Sequence, residues 1–176
     1  MGERMIARAC IIPTGSELGE GIILDTDSPM IMRELCKLSP RCEVTRVSPL
    51  ADDQAEIVRQ IRALHERGAD LIVLIGGSGG GHRHSAALSP DFTHSGMEEL
   101  LQGAHATALY GKNGHLWSKL VCGFLGDTLV INVPGPFQEA EAAMGAFVSA
   151  VRTHGFSAAH INEQMARAVK AQYPVS

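Results

Sequence analysis

LIVLIGGSGGGHRHS, Leu71 to Ser85, is the stretch whose reading decides the fold. Its first five residues are apolar without interruption, the pattern of a short strand buried on both faces, as in parallel sheets covered by helices on either side. Five glycines in the six positions Gly76 to Gly81 follow as a loop at the strand's C-terminal end. That edge is where open α/β sheets place their ligands. Glycine-rich backbone forms an anion-binding concavity from successive N–H groups, here Gly76, Gly77 and Gly79, and Ser78 adds a hydroxyl. The loop is not a P-loop, because no Lys-Ser or Lys-Thr follows the glycines to reach a phosphate and a metal, and it contains no GxGxxG.

Upstream of this strand the chain alternates between strand and helix signals. Met5 to Ile12 reads as a first strand, closed by the turn residues of PTGSELGEG. Ser28 and Pro29 offer an N-cap and first-position pair for a helix through about Lys37, and Glu43 to Val47 suits a second strand. Asp53 and Glu56 form a capping-box-like pair, followed by Ile57, Ile61 and Leu64 on one helical face and by Gly68 as a terminator. A β-α-β-α-β order of this kind implies right-handed crossovers and a parallel sheet.

Downstream, Ser85 to Thr93 reads as irregular and Gly96 to Gln102 as a short helix. LVCGFLGDTLVINVPG reads as two strands turning at Gly126 and Asp127, which is hairpin chemistry. Phe137, Ala140, Met144, Phe147, Val148 and Val151 mark an amphipathic helix, and Ile161, Met165 and Val169 a terminal one. The expected fold is therefore a three-layer α/β/α arrangement with a mostly parallel sheet and a C-terminal hairpin. One domain spans 1–176, its core at 1–152 and a C-terminal helix at 153–176.

Bulk properties narrow the function classes. The chain has 176 residues, 45% of them hydrophobic, enough for a sizeable core. A formal charge of −4, from 15 Lys+Arg against 19 Asp+Glu, gives no footprint for nucleic acid or an anionic membrane. No run approaches the about 18 apolar residues of a membrane span, and no secretory leader is visible. Cys10, Cys36, Cys42 and Cys122 show no CxxC spacing, and three lie in apolar or amphipathic segments, which suits a reduced, cytoplasmic protein.

Several side chains carry candidate chemistry. Arg83 would pair bidentately with a phosphate or carboxylate. His82 and His84 flank it and would ligate a transition metal with His94 or Asp91, although without a third ligand at diagnostic spacing they read more simply as exposed loop residues. Ser16, Glu17, Asp25 and Asp27 surround a strand-to-helix connection, where carboxylates hold Mg²⁺ or a polar heterocycle, or simply cap the helix. One of Asp52 and Asp53 caps the following helix, leaving the other to face a ligand. Pro134-Gly135 ends a buried strand at a point where backbone approaches a bound ring closely.

Taken in order, PTGSELGEGIILDTDS, PLADDQAEI, DLIVLIGGSGGGHRH, LSPDFT and DTLVINVPGP resemble the molybdopterin-binding domain family of molybdenum-cofactor biosynthesis, over about Ile6 to Val151. LWSKLVCGFLGDTLVINVPG is similar to the adenylyltransferase branch, with its serine-basic pair, hairpin and LPG turn. The resemblance implies a homotrimer that takes molybdopterin as ligand, with ATP and Mg²⁺ in the adenylyltransferases. It further implies that Ser78, Ser118, Lys119, Pro134 and Gly135 help cradle nucleotide phosphate or pterin.

The same resemblance exposes departures. Those adenylyltransferases use two aspartates for the metal-nucleotide. Asp52 matches the first, whereas the second falls on His84 when Arg83 is aligned on the family's arginine, or on Ala87 when SPDFT is aligned on the family's following segment. Ser16 likewise replaces the acidic residue of TGDEL. Imidazole is a poor substitute for oxygen around Mg²⁺. The implied function is pterin or nucleotide binding. Two alternatives stand beside it: an active Mg-ATP-dependent adenylyltransferase in which Asp52 holds the metal and His84 assists as acid, and a non-catalytic scaffold or metal-binding module using the histidine loop.

Overall fold

The computed structural model describes residues 5–77, 92–101, 103–111, 114 and 116–173. The chain runs β1 (Arg8–Pro13), α1 (Ser16–Gly19), α2 (Asp27–Leu38), β2 (Glu43–Arg46), α3 (Gln54–Glu66), β3 (Leu71–Ile75), α4 (Phe92–Leu100), β4 (His105–Tyr110), β5 (Leu116–Leu125), β6 (Thr128–Val133), α5 (Phe137–His154) and α6 (Ala158–Lys170). These strands form a six-stranded sheet in the order β2-β1-β3-β6-β5-β4. The pairs β2–β1, β1–β3 and β3–β6 are parallel, and β5 is antiparallel to both neighbours.

All five residues of β3 are buried, as an uninterrupted apolar run at the centre of a two-sided sheet requires. Successive side chains point to opposite faces. Leu71, Val73 and Ile75 enter one core with Ile11, Ile31, Phe147 and Ile161, on the side of α2, α5 and α6. Ile72 and Leu74 enter the other with Ile12, Ile57, Ile61 and Met97, on the side of α3 and α4. The layers thus follow from alternation along one strand.

The α/β architecture, the parallel core and the β5–β6 hairpin match expectation. Gly126 supplies the positive φ of the hairpin turn, +56°. Asp53 caps α3, its Oδ1 accepting the Glu56 N–H at 2.9 Å. Other expectations are corrected. The first strand begins at Arg8 rather than Met5, and PTGSELGEG contains the short helix α1. Ser28 does not cap α2. Thr26 holds that position, and the Asp25 carboxylate accepts the Ser28 N–H at 2.9 Å, so Ser28 and Pro29 lie inside the first turn. Phe92 and Thr93 belong to helix α4, not to the irregular segment expected through Thr93, and the rest of that segment, 85–91, lies outside the described residues. Phe137 begins α5 but is 39% exposed and leaves the buried face to Ala140, Met144 and Phe147.

Strand β4, absent from the sequence reading, is HATALY at the sheet's edge, where Leu109 is buried and most of its neighbours are not. An edge strand covered incompletely needs no apolar run, which is why the pattern gave no signal. The cysteines are free, with Cys10 and Cys122 buried, Cys42 half-buried and Cys36 exposed. No helix among the described residues is long and apolar enough to cross a membrane.

Candidate functional site

The C-terminal ends of the parallel strands β1, β2, β3 and β6 lie along one edge of the sheet. Thr14 and Gly15 follow β1. Gly15 N–H donates to Leu50 O and Leu50 N–H to Pro13 O, both at 2.9 Å, which ties the loop after β2 beside the loop after β1. Gly76 and Gly77 follow β3 with φ of +83° and +57°, a left-handed pair that glycine adopts without steric cost. Gly76 N–H donates to Val133 O at 3.1 Å, joining this loop to the turn after β6.

The glycines of these turns stand close to neighbouring chain segments. A Cβ on Gly135 would stand 3.7 Å from Gly76 Cα, and one on Gly76 would stand 3.2 Å from both the carbonyl oxygen and the hydroxyl of Thr14. The Thr14 hydroxyl donates to Ile75 O at 2.8 Å and accepts from Thr93 Oγ1 at 3.3 Å, so the first turn of α4 is fastened to the start of the glycine loop. Thr14 and Thr93 are buried parts of this framework that sequence reading missed. Only the position of Thr14 in the PTG turn hinted at it.

At the β6 end, buried Asn132 sets the opening. Backbone pairing of β5 with β6 runs from Leu125–Thr128 to Cys122–Ile131. Above it the Asn132 side chain takes over, accepting the Val121 N–H at 2.6 Å and donating to Lys119 O at 2.9 Å. An amide inserted between two strands holds their backbones apart. Ser118, fully buried, and Lys119, near the start of β5, therefore stand across a widened gap from buried Pro134 and exposed Gly135.

The acidic candidates separate by role. Asp53 is consumed as the cap of α3, while its neighbour Asp52 is exposed on the same loop. Asp25 accepts the Ser28 hydroxyl at 2.6 Å, the Ser28 N–H, and Arg46 Nε at 2.6 Å. Burial would raise its pKa, but the Ser28 bonds and the Arg46 guanidinium more than reverse this and hold the carboxyl below its usual range. Asp27, buried and close to the Asp25 charge, is pushed up to about 6 by desolvation first and by Asp25 second, with a weak bond from Thr26 opposing. Ser16 is exposed and Glu17 half-buried in α1.

Ser78, Gly79, His82, Arg83, His84, Ala87 and Asp91 lie outside the described residues. His94 is half-buried in α4. Among the described residues no group of three or more His, Cys, Asp or Glu could hold a metal ion. The described edge thus offers close backbone, one buried serine, one lysine and one exposed carboxylate. Such an edge suits a flat, phosphorylated ring system better than a multidentate cation.

Residues 10–154 match the family model described as "probable molybdopterin binding domain". The chain is 28% identical over 149 residues to the molybdenum cofactor biosynthesis bifunctional protein of Chlorobaculum tepidum, covering 82% of this chain and 46% of that protein. It is 40% identical over 75 residues to a CinA-like protein of Mycobacterium sp. (strain JLS), covering 43% of this chain and 17% of that one. The chain spans less than half the length of either curated relative. In fold it is similar to the molybdopterin biosynthesis enzyme MoaB of Thermus thermophilus, with TM-score 0.61, 20% identity, and 89% of this chain and 96% of that chain covered.

Proposed function

We propose, from the premise that the chain belongs to the molybdopterin-binding domain family, that the C-terminal sheet edge binds molybdopterin or a nucleotide without transferring AMP. The observation that carries the reading is the approach of Gly135 to Gly76, where a Cβ on Gly135 would come into van der Waals contact with the Gly76 backbone at 3.7 Å. Gly76, Gly77 and Gly135 supply backbone surface for a ring, while Ser118 and Lys119 stand across the gap for its phosphate. The donor set fits molybdopterin, whose dithiolene would be the chemistry it brings to the cofactor.

It fits Mg²⁺ less well. A hard cation of this kind takes oxygen ligands, one or two of them carboxylates. Asp25 is committed to Arg46 and Ser28, Asp27 resists ionisation below about pH 6, and of the exposed pair Asp52 and Asp53 the second caps α3. With His84 or Ala87 at the second aspartate position, charge stabilisation during phosphoryl chemistry loses a carboxylate, a deficit commonly worth orders of magnitude in rate. The chain is further proposed to act as a cytoplasmic homotrimer.

The test is calorimetric titration of the chelator-treated protein with molybdopterin and with ATP plus Mg²⁺, followed by an assay for adenylylated pterin. Binding of either ligand without product supports the proposal. Product formation that disappears in Asp52→Ala replaces it with the adenylyltransferase reading, and absence of any binding removes both. Stoichiometric zinc binding lost in His82→Ala/His84→Ala would instead favour the metal-binding module.

A further inference from the structure

The described cations that reach this edge from the strands are already neutralised. Arg46 is paired with Asp25 at 2.6 Å, and Lys119 Nζ meets Glu98 Oε2 of α4 at 2.7 Å. The first pair belongs to the cap of α2, where Asp25 also holds Ser28. The second serves no cap, and it joins two partly exposed side chains of different elements.

The direction of Lys119 follows from packing. Thr93 near the start of α4 touches Thr14 at the sheet edge, while Leu101 just past its end lies against Gly123 of β5, its Cβ 3.2 Å from where a Gly123 Cβ would stand. Helix and strand therefore descend from the edge side by side. Lys119 lies four residues above Gly123, about 13 Å at the strand rise. Glu98 lies three residues above Leu101, about 4.5 Å at the helical rise. To meet Glu98 the lysine side chain leans back from the edge. Its backbone stays in place because Asn132 Nδ2 holds the Lys119 carbonyl at 2.9 Å.

We propose that Glu98 is a positioning residue that parks Lys119 and acts as an internal competitor for the ligand's phosphate. A ligand with a multiply charged phosphate group draws the ammonium from Glu98 to the edge, whereas a ring system without one leaves the ion pair closed. The pair thereby lowers affinity for phosphorylated ligands and leaves affinity for unphosphorylated ligands of the same shape untouched. The inference rests on the reading that this edge binds a phosphorylated pterin or nucleotide. Replacing Glu98 by glutamine frees the ammonium and removes a negative charge, so both effects tighten anion binding.

Calorimetry with ATP, inorganic pyrophosphate and adenosine on the parent, Glu98→Gln, Lys119→Met and the double variant tests this. Glu98→Gln is expected to tighten ATP and pyrophosphate about fivefold, the upper end of what an exposed ion pair is worth, and to leave adenosine unchanged. In the Lys119→Met background only the smaller gain from the removed negative charge should remain. Unchanged or weaker anion binding in Glu98→Gln, or the same gain without Lys119, overturns the inference while leaving the site reading intact. If neither the parent nor Glu98→Gln binds ATP or pyrophosphate, the anion site itself fails and the inference falls with it.

Discussion

Gly76 is wedged against Thr14, with its would-be Cβ 3.2 Å from two Thr14 oxygens and its φ at +83°. Gly135 faces Gly76 under looser conditions, since its would-be Cβ makes only an ordinary 3.7 Å contact with Gly76 Cα. The two glycines separate folding from binding. Gly76→Ala forces a side chain into a left-handed conformation against backbone and should lower unfolding free energy by about 2 kcal/mol. Gly135→Ala should unfold in urea with nearly the parent's midpoint yet lose binding of molybdopterin or ATP, because its methyl group occupies the cradle. Retained binding in Gly135→Ala would place the ligand elsewhere.

Adjacent aspartates divide their work in the same way. Asp53 caps α3 through Glu56 N–H at 2.9 Å, so Asp53→Ala should cost about 1 kcal/mol in chemical denaturation. Asp52 is exposed one residue earlier. Titrating ATP with and without Mg²⁺ provides the complementary readout: the metal-dependent increment should disappear in Asp52→Ala and persist in Asp53→Asn.

What the sequence disclosed follows from how local each signal is. The apolar run Leu71–Ile75 and the spacing Ile57, Ile61, Leu64 specify burial through neighbours in sequence, and both elements fold as read. Asp53 as a cap is similarly local. The Asp25 bond to Arg46, the Asn132 wedge and the Glu98 pair join residues of separate elements, so no periodicity announces them. Asp25 and Asp27 looked equivalent in DTDS. Only the fold shows that one carboxylate is compensated while the other is buried beside it.

That difference sets a pH dependence. The Asp27 carboxyl titrates near about 6 in the folded protein, against an ordinary value of 3.8. Between these values the folded state holds a proton that the unfolded state has lost, so stability falls as pH rises from about 4 to about 6 and then levels. Asp25 contributes the opposite slope at lower pH, since its carboxyl lies below 3.8 when folded. Asp27→Asn keeps the shape without the charge. It should raise unfolding free energy at pH 7 by about 1–2 kcal/mol and converge with the parent near pH 4. Parallel curves for the two proteins across that range would show that Asp27 ionises freely in the fold.

At the far rim of the same gap, Trp117 precedes Ser118 and stacks on Tyr173 with ring centroids 4.0 Å apart. The β4–β5 register shifts between Leu109 and Tyr110, so Trp117 occupies a bulge, a device that re-aims a side chain. The Tyr173 hydroxyl donates to Glu139 in the first turn of α5, which fixes the tyrosine over the indole beside the Pro134-Gly135 turn. Gly111 also lies against the indole, where a Cβ would overlap Trp117 Nε1. Gly111→Ala must therefore dislodge an indole already held by Tyr173, and a cost of about 1–3 kcal/mol is expected from such overpacking. Because the chain contains one tryptophan, its fluorescence reports the displacement directly. Red-shifted emission is expected in Gly111→Ala and Tyr173→Ala, with weaker ATP binding if the bulge helps place Ser118. Parent-like emission in both would show that the stack does not hold Trp117.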